Sequence, residues 1–300
     1  MQGKTVVITG ATGGIGLETA RGLAKLGARV AIVARSRPRG EAAIAEIKQT
    51  VPDAQLELAL ADLYSLAEIR QVGAELRAKH PKIDVLINNA GMIHGKRELT
   101  VDGFEKTFAL NHLAPFLLTY ELRDALVKAS PARVVTLSSG GHNLQYFTWD
   151  DLATRNRWMG QTLVYGASKL CNIWFAKEAA RRFASKGSGP GPDKKGSGPG
   201  PDKKTVTSNA VHPGVVATGF GQTGSKLFQI GAKLTRRFML TMEQGARTSI
   251  YVASSPEVAD VTGEYFYKSK VKTPSARARD AGDARTLWEL SEKLCGISWS

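Results

Sequence analysis

Short, continuous apolar runs alternate along the chain with longer segments of mixed polarity. Thr5–Thr9 is the first such run, and it ends at Gly10, the pattern of a strand covered on both faces. Gly14–Leu26 reads as a helix stopped by Gly27. Further strands are expected at Arg29–Val33, Leu56–Leu60, Ile83–Ile87, Arg133–Leu137, Thr205–Val211 and Gly263–Tyr267. Helices are expected at Gly40–Thr50, Leu66–Lys79, Phe104–Lys128, Tyr165–Ser185 and Met242–Ser254. Strands and helices in strict alternation predict the α/β class: a three-layer, doubly wound Rossmann fold around a mostly parallel seven-stranded sheet. Right-handed crossovers then bring the ligand-binding strand ends to one edge.

One segment breaks the alternation. Residues 187–195 read GSGPGPDKK, and residues 196–204 repeat them unchanged. Glycine, proline and charge cannot build a core, so a flexible surface loop is expected inside a single domain spanning residues 1–300. No apolar run is long enough to cross a bilayer, and the first strand begins almost at the N-terminus. Cys171 and Cys295 lack metal-ligand spacing and read as free thiols of a cytoplasmic protein.

The net charge of +14 raises the question of nucleic acid. The cations are spread over Lys186–Lys204, Lys226–Arg237 and Lys268–Arg279, without the aromatic residues of a nucleic-acid module. A basic surface that attracts an anionic small molecule is the reading preferred here.

The candidate chemistry starts after the first strand. Gly10, Thr12, Gly13, Gly14, Ile15 and Gly16 join that strand to the first helix. Glycines allow a sharp turn and close approach of the backbone to a pyrophosphate, whose oxygens the helix N-terminus then holds. The spacing is T-G-x-x-x-G-I-G rather than G-x-G-x-x-G, and it resembles the short-chain dehydrogenase/reductase family. Later motifs extend the resemblance over nearly the whole chain outside the repeat.

At the end of the second strand Ala34 stands where an NAD-binding unit carries an acid, and Arg35 follows it. A guanidinium can bind a 2′-phosphate through paired hydrogen bonds, with Arg37 or Arg39 assisting, so NADP(H) is expected over NAD(H). By resemblance, Asp62 and Leu63 contact the adenine. Asn88-Asn89-Ala90-Gly91 matches the family's N-N-A-G motif beside the cofactor. Pro213, Gly214, Val215 and Thr218 match the P-G-x-x-x-T turn that lines the nicotinamide.

Tyr165 and Lys169 are one helical turn apart and can serve one site. A nearby ammonium favours the phenolate, so a lowered tyrosine pKa is expected. Ser138-Ser139 closes the fifth strand, where a hydroxyl can bond a substrate oxygen. The resemblance selects Ser139, and it implies that Asn111 holds a water through its backbone in a proton relay to Lys169. The implied reaction is direct hydride transfer between a nicotinamide and a small-molecule carbonyl or alcohol, with no metal and no nucleic acid. A different reading is a regulatory protein that senses NADP(H) without chemistry.

Local strings, among them Asn111-His112-Leu113-Ala114-Pro115-Phe116, resemble the retinol dehydrogenase and protochlorophyllide reductase-like branch. A bulky apolar substrate is therefore expected, bordered by Gly140–Thr162 and by residues 219–241. In the second region Leu227, Ile230, Leu234 and Phe238 share one helical face with lysines and arginines between them. A substrate lid, a helix lying on a membrane surface and a partner-binding helix all remain open readings. Homodimers or homotetramers built on the two long helices are usual in the family.

Overall fold

The computed structural model of the chain describes residues 1–185, 206–215 and 240–299. The duplicated loop, Thr218 and residues 219–239 of the lid segment lie outside the described residues. Seven strands run parallel: β1 (Thr5–Thr9), β2 (Arg29–Ala34), β3 (Leu56–Leu60), β4 (Val85–Asn88), β5 (Ala132–Leu137), β6 (Val206–His212) and β7 (Tyr265–Tyr267). The sheet order is β3-β2-β1-β4-β5-β6-β7-β8. The chain reverses its direction of travel across the sheet between β1 and β4, which opens a crevice at their carboxyl ends.

Eight strands are present among the described residues, one more than expected. The extra strand β8 (Lys270–Val271) pairs antiparallel with β7. Its turn, Lys268-Ser269, takes φ values of 51° and 57°. Two positive φ angles are the requirement of a tight hairpin turn, usually met by Asn-Gly, and Lys-Ser carries no such signal.

Helices α1 (Gly14–Lys25), α2 (Arg37–Thr50) and α7 (Met242–Ser254) cover one face; α3 (Leu66–Lys79), α5 (Ala114–Ala129), α6 (Gln161–Ser185) and α8 (Ala281–Cys295) cover the other. Alternation along β1 divides the two layers. Val7 points into the α3–α5–α6 side, Val6 and Ile8 into the α1–α7 side. Helix α2 starts three residues earlier than expected because Ser36 caps it and Pro38 sits in the first turn, where its missing N–H costs nothing.

The expected helix from Phe104 to Lys128 is interrupted. It begins as α4 (Lys106–Phe108), widens into a π-turn over Ala109–Leu113 and resumes as α5. Pro115 lies four residues after Asn111. It has no N–H to give the Asn111 carbonyl, so the α-helical ladder breaks there.

Helix α8 was absent from the expected elements, although its sequence carries both end signals. The Asp280 side chain accepts the Asp283 N–H, and Gly296 closes the helix at φ 60°. Its Trp288 enters a cluster with Phe116 of α5 (ring centroids 4.9 Å), Phe175 of α6 (5.9 Å) and Trp299 (4.9 Å). Both cysteines are free and buried.

Candidate active site

The carboxyl ends of β1, β2, β4, β5 and β6 gather the expected residues at one edge of the sheet. Gly10 turns the chain out of β1, and Gly16 lets the cradle fold back on itself. A Cβ on Gly16 would overlap the Gly10 carbonyl oxygen and the Asn89 amide. Asn89 ties the cradle to β4: its Nδ2 donates to the carbonyls of Thr9 (2.8 Å) and Gly10 (3.0 Å). Thr9 Oγ1 accepts the backbone N–H groups of Asn89 and Ala90.

This cradle fits a dinucleotide phosphate. No side chain caps the N-terminus of α1, and its first turn has no acidic residue. Its unpaired N–H groups are therefore open to an anion. A Cβ on Gly13 would meet nothing within 4 Å, so space adjoins the backbone where the oxygens would lie. Thr12, Gly14 and Ile15 are half-buried around it.

Arg35 is 66% exposed just beyond β2 and makes a loose 3.8 Å contact with Asp62. Arg39 is exposed as well. Asp62 also accepts the Tyr64 N–H, and Leu63 is buried beside it. Farther along the edge, Pro213 and Gly214 are half-buried and Val215 is exposed. The Leu240 N–H donates to the Val215 carbonyl at 2.9 Å.

The reactive side chains converge from three elements. Ser139 follows β5 and caps a short turn, Gly140–Asn143. Gly166 admits this turn onto α6, because a Cβ there would overlap the Leu144 carbonyl. The Ser139 side chain is hydrogen-bonded to Tyr165, and its Oγ accepts the Gly141 N–H at 3.1 Å. Ser138 points elsewhere and donates to the Lys169 carbonyl at 2.7 Å. Only one serine of the pair thus faces the phenol.

Lys169 is buried, with Nζ 5.6 Å from the centroid of the Tyr165 ring and 3.0 Å from the Leu137 carbonyl, to which it donates. A Cβ on Gly91 would come within 3.1 Å of Lys169 Nζ and 3.2 Å of Asn111 Oδ1. The Asn111 side chain itself is committed to packing. It accepts from Met92 N and donates to Met92 O and to Ser168 Oγ.

The electrostatics differ from the expectation of a lowered phenol pKa. Burial pushes Tyr165 up to about 12, and its hydrogen bond with Ser139 offsets only part of that rise. Burial also pushes Lys169 down to about 8. Low dielectric disfavours the charged form of each group. A neutral phenol is the form that can give a proton to a carbonyl oxygen.

His142, three residues after Ser139, has both ring nitrogens engaged by the backbone. Its Nδ1 donates to the Ser139 carbonyl at 2.7 Å, while Nε2 accepts from Ser275 N at 3.2 Å. Phe147 and Trp149, expected to border a substrate, pack instead on Trp174, whereas Leu144 and Tyr146 are exposed.

His112, next to Asn111, is buried and pushed down to about 3 by desolvation. Its folded pKa lies below the unfolded value, so only the unfolded chain takes the proton between roughly pH 6.5 and 3. Stability must fall with acid in that window. Going from pH 7 to 5 is expected to cost about 2 kcal/mol through this residue, and a His112→Asn chain should lack that part of the slope in urea titrations. Equal slopes would contradict it.

A family model described as "short chain dehydrogenase" matches residues 4–188. Retinol dehydrogenase 12 of Mus musculus is 39% identical over 297 residues, covering 99% of this chain and 88% of the relative. Retinol dehydrogenase 14 of Mus musculus is 37% identical over 313 residues, with 99% and 87% covered. Among solved structures, an uncharacterized protein from Mycobacterium Paratuberculosis superposes with a TM-score of 0.74 at 32% identity, covering 100% of this chain and 96% of its own. Sheet order, site and relatives agree: the chain belongs to the short-chain dehydrogenase/reductase family, in its retinol dehydrogenase-like branch, and is an oxidoreductase acting on CH–OH groups.

Proposed function

We propose that the protein interconverts a bulky, apolar carbonyl compound and its alcohol with NADP(H), using Tyr165 as the proton-transferring group. The observation that carries this reading is the Ser139–Tyr165 hydrogen bond in front of an uncapped glycine cradle, with Lys169 buried beside it. NADPH held there supplies the hydride. Ser139 orients the carbonyl oxygen, and Tyr165 gives it a proton; the alcohol is oxidised by the reverse path. Lys169 donates to the Leu137 carbonyl and faces the phenol, where it can balance charge on the phenolate left behind. Asn111 supports the lysine from the π-turn, where its carbonyl lacks an α-helical donor and can hold a relay water.

The cradle residues Gly10, Thr12, Gly13, Gly14, Ile15 and Gly16, together with Asn89, Ala90 and Gly91, would hold the dinucleotide. Asp62 and Leu63 would border the adenine; Pro213, Gly214, Val215 and Thr218 would line the nicotinamide. The support for NADP(H) is Arg35 at the end of β2, exposed and without an acid at position 34. The exposed Leu144, Tyr146 and Met159 support an apolar substrate.

Replacing Arg35 by alanine is expected to weaken NADPH binding by roughly 10- to 100-fold, the worth of charge-assisted hydrogen bonds, and to leave NADH almost unaffected. Fluorescence titration of both cofactors measures this, and equal losses for the two would end the NADP(H) assignment. Turnover over a panel of retinoid-sized and small carbonyls tests the substrate class.

A further inference from the structure

His212 closes β6 and stands between the two turns that flank the site. Its ring lies on that of Tyr267, its neighbour in register on β7, with centroids 4.8 Å apart and planes at 15°. Its Nδ1 accepts the Gly214 N–H at 3.2 Å. A neutral imidazole with its acceptor at Nδ1 carries the proton on Nε2. The Nε2 end abuts Gly140, where a Cβ would come within 3.1 Å of that nitrogen and 3.6 Å of Cε1.

Gly140 opens the short turn that Ser139 caps. Gly141, next in that turn, donates to Ser139 Oγ at 3.1 Å, and a Cβ on it would meet the Tyr165 ring at 3.4 Å. On the other side of the imidazole, Gly214 has φ 94°, and a Cβ there would overlap the Leu240 side chain. Only glycine serves at that position, and its N–H is spent on His212.

We propose that His212 is a positioning residue: its imidazole fixes the Ser139 turn against the Pro213–Gly214 turn, and so sets the proton-transferring pair in register with the nicotinamide. The stack on Tyr267 fixes the ring plane, and the Gly214 bond fixes which way the ring faces within it. Nε2 is then left one place, against Gly140. The Ser139 turn cannot swing clear, because His142 pins its far end through the Ser139 carbonyl and the Ser275 N–H. Burial, with the charge of Lys272 nearby, pushes His212 down to about 4, so Nδ1 stays an acceptor at neutral pH. The effect on turnover rests on the proposed function above. The link between the two turns does not.

The test measures both in the full chain. Leucine and asparagine have similar shapes, but only asparagine can accept the Gly214 N–H, as in an Asx-turn. Neither places an atom at Nε2. Without cofactor, nitrogen NMR should show His212 protonated on Nε2 at neutral pH. The Gly214 amide should exchange with deuterated water faster in His212→Leu than in the wild type, and His212→Asn should restore its protection. In turnover, His212→Leu should lower kcat about tenfold with little change in KM, as small misplacements of reacting groups do, and His212→Asn should recover part of the loss. Gly140 lies outside the left-handed region, so alanine suits its backbone and only the new methyl presses on the imidazole. Gly140→Ala should therefore lower kcat in the wild type and cost nothing further in the His212→Asn background. Ile47→Val, in the layer around α1 and α7, is a control that loses stability without touching either turn. The link is refuted if Nδ1 carries the proton, if Gly214 exchange is the same in His212→Leu as in the wild type, if Gly140→Ala costs as much in the His212→Asn background, or if Ile47→Val lowers kcat equally. If exchange and rescue behave as expected while Tyr165→Phe remains fully active, the link stands and the catalytic reading fails.

Discussion

Tyr165→Phe is expected to lower NADPH-dependent carbonyl turnover by about 10²–10⁴-fold, the usual worth of a positioned acid–base group. NADPH affinity should hardly change, because the ring still fills the same space beside Gly141, whose Cβ would meet Tyr165 at 3.4 Å. The variant also frees Ser139 from its phenol partner while leaving the Gly141 N–H bond intact. Stopped-flow measurement of hydride transfer, with a parallel cofactor titration, separates the two effects. A folded variant that binds NADPH and keeps wild-type turnover would remove the proton-transfer role from Tyr165. It would leave the family assignment untouched, since the cradle and sheet order do not depend on it.

Trp288→Ala is expected to destabilise the protein by about 3–5 kcal/mol, the range for deleting a large buried aromatic. Trp288 is 1% exposed. It lies nearly parallel to Phe175 at 12°, stands edge-on to Phe116 and carries the Arg182 guanidinium 4.6 Å from its ring centroid. Removing it opens a cavity between three helices that cannot close without moving α8. Trp288→Phe should cost far less. It keeps most of the ring volume and removes an indole N–H that has no acceptor among the described residues. Urea unfolding of the three proteins gives the order directly; equal losses for Ala and Phe would mean that the site collapses or that packing is not the cause.

What the sequence shows and what it hides divide along a physical line. The glycine cradle, the Tyr165–Lys169 spacing and the apolar β1 run are local, and local geometry follows from covalent structure and helical period. Arg35 after Ala34 is equally local. Packing is not. The rise of the Tyr165 phenol comes from how deeply the surrounding elements bury it, and no spacing reports that depth. The acceptor of Lys169 is a main-chain carbonyl of β5, invisible in a list of side chains. His142 sits three residues from Ser139, yet its ring is taken up by two backbone groups, one of them at Ser275. The β7–β8 turn hid because Lys268 and Ser269 adopt angles normally left to Asn and Gly. Helix α8 is the exception, for Asp280, Asp283 and Gly296 announce it plainly. The π-turn could have been suspected from Pro115, whose ring denies a partner to Asn111.

The aromatic cluster around Trp288 has a consequence for biosynthesis. A nascent chain can assemble β1 to β5 and both long helices well before residues 281–299 emerge, as N-terminal segments generally form first. Until then the rings of Phe116 and Phe175 face water, with neither Trp288 nor Trp299 against them. The half-made protein therefore presents a sticky surface to the translating cell, and chaperone demand should be greatest just before those two tryptophans are added.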